Sequence, residues 1–132
     1  MNIFPYVKNY ADQINGQFTE YDNTKAILVV PTEAGRFQTV LLTIETSASS
    51  ASQMAVLSSK VCEYSVGMDL KILLEQNAKF DYSKFALAEG YLKVEASCLA
   101  NNASEEELKH MIQEVAKMAD SYEMKLTGKD IN

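Results

Sequence analysis

A chain of 132 residues that is 47% apolar and 23% charged has the size and make-up of one ordinary globular domain, 1–132. Such a chain buries roughly two-thirds of its unfolded surface and needs no disulfide or metal to hold it together. Twelve basic against eighteen acidic side chains leave a formal charge of −6, and Arg36 is the only arginine. That balance argues against nucleic acid as a partner, because phosphate affinity comes from clustered Lys and Arg.

No apolar run approaches the ~20 residues of a membrane-spanning helix. The opening Met1-Asn2-Ile3-Phe4-Pro5-Tyr6 lacks the basic leader and apolar core of a signal peptide. The expectation is a cytoplasmic protein that meets no membrane, with Cys62 and Cys98 as buried thiols.

The first predicted element is a helix over Pro5–Asn15. Proline suits a first-turn position, Tyr6, Tyr10 and Ile14 recur every fourth residue, and Gly16 is a natural stop. Phe18 and Tyr21 read as a connection. Lys25–Pro31, with Ala-Ile-Leu-Val-Val inside it, reads as a strand. Gly35 supplies the turn, and Arg36–Thr46 follows as a second strand. Both of its faces are partly apolar, which predicts a central strand covered on both sides.

The run Thr46–Gln53 (TSASSASQ) reads as a mobile loop. Met54–Tyr64 is a third strand whose alternation shifts phase between Val56 and Leu57, predicting a bulge there. A short helix, Asp69–Gln76, is capped by Asp69 and lined by Leu70, Leu73 and Leu74. Lys84–Ala88 and Tyr91–Leu99 form a hairpin around Glu89-Gly90. The last helix starts at a capping box, Ser104 with Glu107, continues through Leu108, Ile112, Val115 and Ala119, and ends at Gly128. The resulting order, α-β-β-β-α-β-β-α, predicts an α+β fold with a five-stranded, mainly antiparallel sheet packed against helices.

Chemistry-bearing patterns are sparse. His110, the only histidine, lies about 160–200° from the apolar stripe of its helix and points to solvent. No metal or catalytic role is read into it, since no second histidine or cysteine pair sits at ligand spacing. Glu105, Glu106 and Glu107 are explained by the positive end of the helix dipole. Phosphate-binding glycine loops and the nucleophile elbow are missing. No catalytic residue, metal or cofactor is therefore expected. Tyr6, Tyr10 and Tyr91 are the candidate partner-binding surface, because tyrosine joins a large apolar body to a polar tip; the competing reading makes Tyr6 and Tyr10 the rim of the core.

Two local patterns carry a likeness. Leu73-Leu74-Glu75-Gln76-Asn77 followed by Lys84-Phe85-Ala86-Leu87, and Ser104-Glu105-Glu106-Glu107-Leu108 running to Ala119-Asp120, resemble the YbjN-type bacterial family, which is similar in fold to the class I type III secretion chaperones. Arg36 at the start of its strand suits the same pattern. The resemblance implies a cytoplasmic, non-enzymatic, acidic homodimer that binds another polypeptide, and it brings no catalytic residues. The expected function is thus a chaperone-like or adaptor module, which could add a strand at a sheet edge or take a helix in an apolar groove. The alternative expectation is a small-molecule binder or modest enzyme with its pocket under the loop 46–53.

Overall fold

The computed structural model describes residues 3–128. Three helices and six strands follow in the order α1 (Phe4–Gln13), β1 (Gln17–Asp22), β2 (Lys25–Pro31), β3 (Phe37–Thr46), β4 (Gln53–Glu63), α2 (Leu70–Asn77), β5 (Ser83–Ala88), β6 (Tyr91–Leu99) and α3 (Glu105–Thr127). The strands form one sheet in the order β1-β2-β3-β4-β6-β5, and every neighbouring pair is antiparallel. The α+β class and the antiparallel sheet agree with the sequence. The strand count does not.

The additional strand is β1. Its side chains are exposed except for half-buried Phe18, so no alternation of apolar residues announces it. It exists because β2 offers it a backbone ladder, Gln17 to Val29 through Glu20 to Ala26. Asn15 (φ 59°) turns the chain between α1 and β1. Gly16 then passes so close to β2 that a Cβ there would collide with the Val29 carbonyl oxygen.

The helices all lie on one face of the sheet. Ala26, Leu28 and Val30 of β2, Val40 and Leu42 of β3, Ala55, Leu57 and Val61 of β4, and Leu92 and Val94 of β6 point under them and are buried. From α3 they receive Leu108, Met111, Ile112, Val115, Ala116 and Ala119, spaced three and four apart as one helix face requires. Phe4, Val7 and Ala11 bring α1 onto the same layer, with Phe4 edge-on to Phe18 at 6.0 Å.

The caps read from sequence are present. Ser104 accepts from the Glu107 amide at 3.1 Å, Asp69 accepts from the Ile72 amide at 3.2 Å, and Gly128 closes α3 with φ 72°. The β5–β6 turn puts Glu89 and Gly90 both at positive φ (55° and 82°), the requirement of a two-residue hairpin whose twist matches its strands.

Two expectations are corrected. The bulge in β4 lies between Lys60 and Cys62, not at Val56/Leu57. The extra residue there turns both Val61 and Cys62 toward the helices, where α3 offers apolar cover. Strand β3 is central but covered on one side only: Phe37 is 50% and Leu41 38% exposed, because no element crosses the opposite face.

Two polar tethers fix the layers. Arg36, at the β2–β3 turn, holds Asp120 of α3 in a two-pronged pair, Nη2 to Oδ2 at 2.9 Å and Nε to Oδ1 at 3.1 Å, with the carboxylate side chain only 2% exposed. Inside the sheet layer, Gln38 Nε2 donates to Ser59 Oγ (2.9 Å) and to the Lys60 carbonyl (3.0 Å). Ser59 Oγ donates to the Thr39 carbonyl at 2.6 Å, so this buried polar patch is bonded across β3 and β4.

Candidate functional site

The exposed apolar side chains are unevenly placed. Of the thirteen large ones that stand exposed among the described residues, seven (Tyr64, Val66, Leu70, Ile72, Leu74, Tyr82 and Leu87) fall between residues 64 and 87. They surround α2. This helix buries Leu73 alone and leaves Leu74 67% and Ile72 51% exposed. Between α2 and β5 runs an open apolar groove of about 270 Å³, walled by Leu70, Leu73, Leu74, Phe85, Ala86, Leu87 and Leu92. None of these wall residues carries a charge. The leucine stripe of α2 was legible in the sequence. That most of it stays uncovered was not, because it depends on α3 ending its cover at Phe85 and Tyr122, whose rings meet edge-on at 4.8 Å.

The sheet edge beside this groove is closed at Ser83 and Phe85. The Asn77 side chain accepts from the Phe85 amide at 2.6 Å and reaches its carbonyl at 3.5 Å. Glu114 of α3 accepts from the amides of Asp81, Tyr82 and Ser83 at 2.8, 2.9 and 2.7 Å. In an antiparallel strand alternate residues turn their backbone groups outward, and on β5 these are Ser83, Phe85 and Leu87. The Ser83 and Phe85 amides are therefore already used. Burial pushes the Glu114 carboxyl up, but hydrogen bonds from Ser83 and from the backbone of Asp81 and Tyr82 outweigh it and hold the pKa below its ordinary value.

The other edge, β1, is blunted differently. The bonds of Thr32 to Arg36 and of Ile44 to Thr24 set the alternation in β2 so that Ile27 and Val29 turn to Thr19 and Gln17. Phe18 and Glu20 then face outward. Glu20, Asp22 and the irregularity between them are features that discourage strand addition.

The uncovered sheet face divides in two. On the β1–β4 side the outward positions include Gln17 and Thr19, then Ile27, Val29 and Pro31, then Phe37, Thr39, Leu41 and Thr43, then Met54, Val56 and Ser58. The charged members of this side, Asp22, Lys25 and Glu45, gather at one end of it beside Thr43. On the β4–β6–β5 side stand Lys60 directly opposite Lys93 and Glu95 directly opposite Lys84. The Lys60 ammonium lies 4.2 Å from the centre of the Tyr91 ring, and Lys93 is 3.9 Å from Glu89 of the turn.

A larger open groove, about 800 Å³, runs between the end of β4 and the end of α3, with Cys62, Glu63, Met68, Asp69, Tyr91, Glu123 and Leu126 among its walls. Its polar groups do not make a nucleophile. Burial, and then the Glu123 carboxylate, push the Cys62 thiol up, so it stays protonated at neutral pH. Cys98 is likewise pushed up by burial and then by Glu107.

The sequence candidates separate in space. Tyr10 accepts a hydrogen bond from Gln113 at 2.8 Å, tying α1 to α3, and Tyr6 stands 38% exposed on the same helix. Tyr91 lies at the far end of the molecule, beside Lys60 on the sheet and near the last turn of α3. The three do not form one surface. His110 is exposed and pairs with Glu106 one turn back at 3.1 Å. Cys62 and Cys98 lie on adjacent strands but opposite Leu92 and Ala55, at opposite ends of the ladder. The loop 46–53 is a hairpin connection closed on itself, Ser47 to the Ser52 carbonyl at 2.8 Å and Ala51 to the Ser47 carbonyl at 3.0 Å, and it walls none of the grooves described above. Among the described residues no cluster of three His, Cys, Asp or Glu side chains is placed to hold a metal ion, and no helix is long and apolar enough to cross a membrane.

No protein-family model matches this chain, and no curated protein matches it.

Proposed function

We propose that this protein is a non-enzymatic polypeptide-binding module of the chaperone-like or adaptor kind, acting as a homodimer in the cytoplasm. The observation that carries the reading is the uncovered apolar surface of α2. A helix that buries one leucine and exposes Leu70, Ile72 and Leu74 beside a groove of uncharged walls is what a protein-contact surface looks like. We take its occupant to be a second copy of this chain. An antiparallel crossing about a two-fold axis near Leu73 brings Lys71 of one copy toward Glu75 of the other, whereas a parallel crossing sets like charges together. Both sheet edges being blunted, contact at α2 is made by side chains in a groove and not by an added strand.

Light scattering after size-exclusion chromatography tests this. The wild type is expected at twice the 14.7 kDa chain mass, and Leu74→Lys, at a 67% exposed position, at the mass of one chain with an unchanged circular dichroism spectrum. A wild-type monomer that also captures no polypeptide in its native host overturns the reading.

A further inference from the structure

We propose that Asn15 is a latent modification site: docking of α1 against β2 protects its side-chain amide, and the residue converts to isoaspartate or aspartate once α1 lifts from the sheet. This site is independent of the polypeptide-binding surface.

The chemistry is set by the neighbour. Asn15 is followed by Gly16, and no other asparagine in the chain precedes a glycine. With no Cβ in the way, the Gly16 nitrogen is well suited to attack Asn15 Cγ. The new N–Cγ bond closes a cyclic imide, the Cγ–Nδ2 bond breaks, and ammonia leaves with the proton from Gly16. Water then opens the ring. Cleavage of the bond to Cγ gives aspartate. Cleavage of the bond to the main-chain carbonyl carbon gives isoaspartate, in which Cβ has entered the main chain. Water is the only co-reactant, and with ammonia gone neither product reverts.

The fold holds this reaction back by geometry, since Asn15 itself is exposed to water. Its φ of 59° confines it to the left-handed region, where ψ is about +47°. Ring closure needs the Gly16 nitrogen eclipsed with Cβ, which is roughly half a turn of the peptide plane away. The Gly16 N–H is also engaged, donating to the Ala11 carbonyl at 2.8 Å. Gly16 lies against β2 with no space for a Cβ beside the Val29 carbonyl, so the plane cannot turn in place. Buried Phe4, Val7 and Ala11 hold α1 down, as does the bond between Tyr10 and Gln113. Conversion therefore waits for a local opening that frees the end of α1. Afterwards a new carboxylate stands beside Asp12 at the end of α1, where the helix dipole is negative, and isoaspartate lengthens the main chain at this tight junction. A chain that has opened is marked permanently.

Peptide mapping that resolves asparagine, aspartate and isoaspartate at position 15 is the test. The full chain is incubated at neutral pH, folded and in urea, beside Val7→Ala and Tyr10→Phe, with circular dichroism to establish which variants are folded. In urea, position 15 should convert faster than any other asparagine. In the folded wild type it should be slower by about tenfold or more, and in the folded variants intermediate. A site no faster in urea than the other asparagines, a folded wild type as fast as the unfolded chain, or folded variants no faster than the wild type each overturn the proposal. The isoaspartyl chain, purified and refolded, should exchange its α1 amides faster than the unconverted chain; equal exchange overturns the permanent mark.

Discussion

Asn77, the last residue of α2, closes the outer edge of β5 by holding both backbone groups of Phe85, the amide at 2.6 Å and the carbonyl at 3.5 Å. One amide side chain thus fixes where the next strand lies and removes a pairing site that another chain could use. Strand edges need this treatment because their unpaired groups template association. Asn77→Ala is expected to cost about 1–2 kcal/mol, the penalty of leaving a partly buried amide unpaired. It should also raise the tendency to associate through β5. Asn77→Asp, which keeps the acceptor, should recover most of the stability. Urea denaturation and light scattering over time check both parts; an alanine variant as stable and as monodisperse as the wild type contradicts them.

The Arg36–Asp120 pair predicts an asymmetric response. The Asp120 side chain is 2% exposed, that of Arg36 30%. Removing the guanidinium in Arg36→Met strands a buried carboxylate, a change that costs about 3–5 kcal/mol in such settings. Removing the charge in Asp120→Asn leaves an arginine that can reach water and an amide that can still bond, and should cost about 1 kcal/mol. Equal losses in chemical denaturation would show that the pair is not buried as described.

The Glu114 clamp predicts a pH dependence. Its folded pKa lies below the unfolded value, so its contribution is fully present above the ordinary carboxylate range and is lost as the pH falls through the depressed folded value. Glu114→Gln cannot titrate. Compared with the wild type, it should be less stable at neutral pH, and the gap should narrow steadily as the pH is lowered below about 4.5. Thermal unfolding from pH 7 to pH 3 reads this directly, and a gap independent of pH contradicts it. Amide exchange at Asp81, Tyr82 and Ser83 should quicken in the variant, since their donors lose the carboxylate that orders them.

The two cysteines should be slow and unpaired. Both thiols are pushed up by burial, then by Glu123 for Cys62 and by Glu107 for Cys98, which lowers the thiolate fraction available at neutral pH. Their registers, opposite Leu92 and Ala55, keep them about 20 Å apart along the ladder, far beyond disulfide reach. Alkylation of the native protein at pH 7 should be slower than that of a free cysteine. Mild oxidation should produce no intramolecular bridge by intact mass; a mass lower by two hydrogens in the folded monomer would refute the register.

Much of this architecture was written in local patterns. Lys25–Pro31 and Tyr91–Leu99 coincide with their strands because a β-branched run and a strict apolar alternation decide their own conformation. Asp69, Ser104, Gly35 and Gly128 fix their caps and turns because the energy involved is that of a few neighbouring backbone groups. The solvent-facing position of His110 followed from helical periodicity alone.

Other features depended on which element lies next to which. Strand β1 carries no apolar alternation and is held by the ladder of β2. The β4 bulge sits where α3 covers both Val61 and Cys62, a choice made by the helix above and not by the strand. Phe37 and Leu41 have the composition of buried residues and stand in the open because nothing crosses their face. The closing of the β5 edge draws on Glu114, thirty-one residues from Ser83. The sequence by itself determined the helices, the strand-forming segments and the turns, since these are settled within a few residues. Only the tertiary structure decided which edges are sealed and which surfaces stay uncovered, since both are set by packing between segments far apart in the chain.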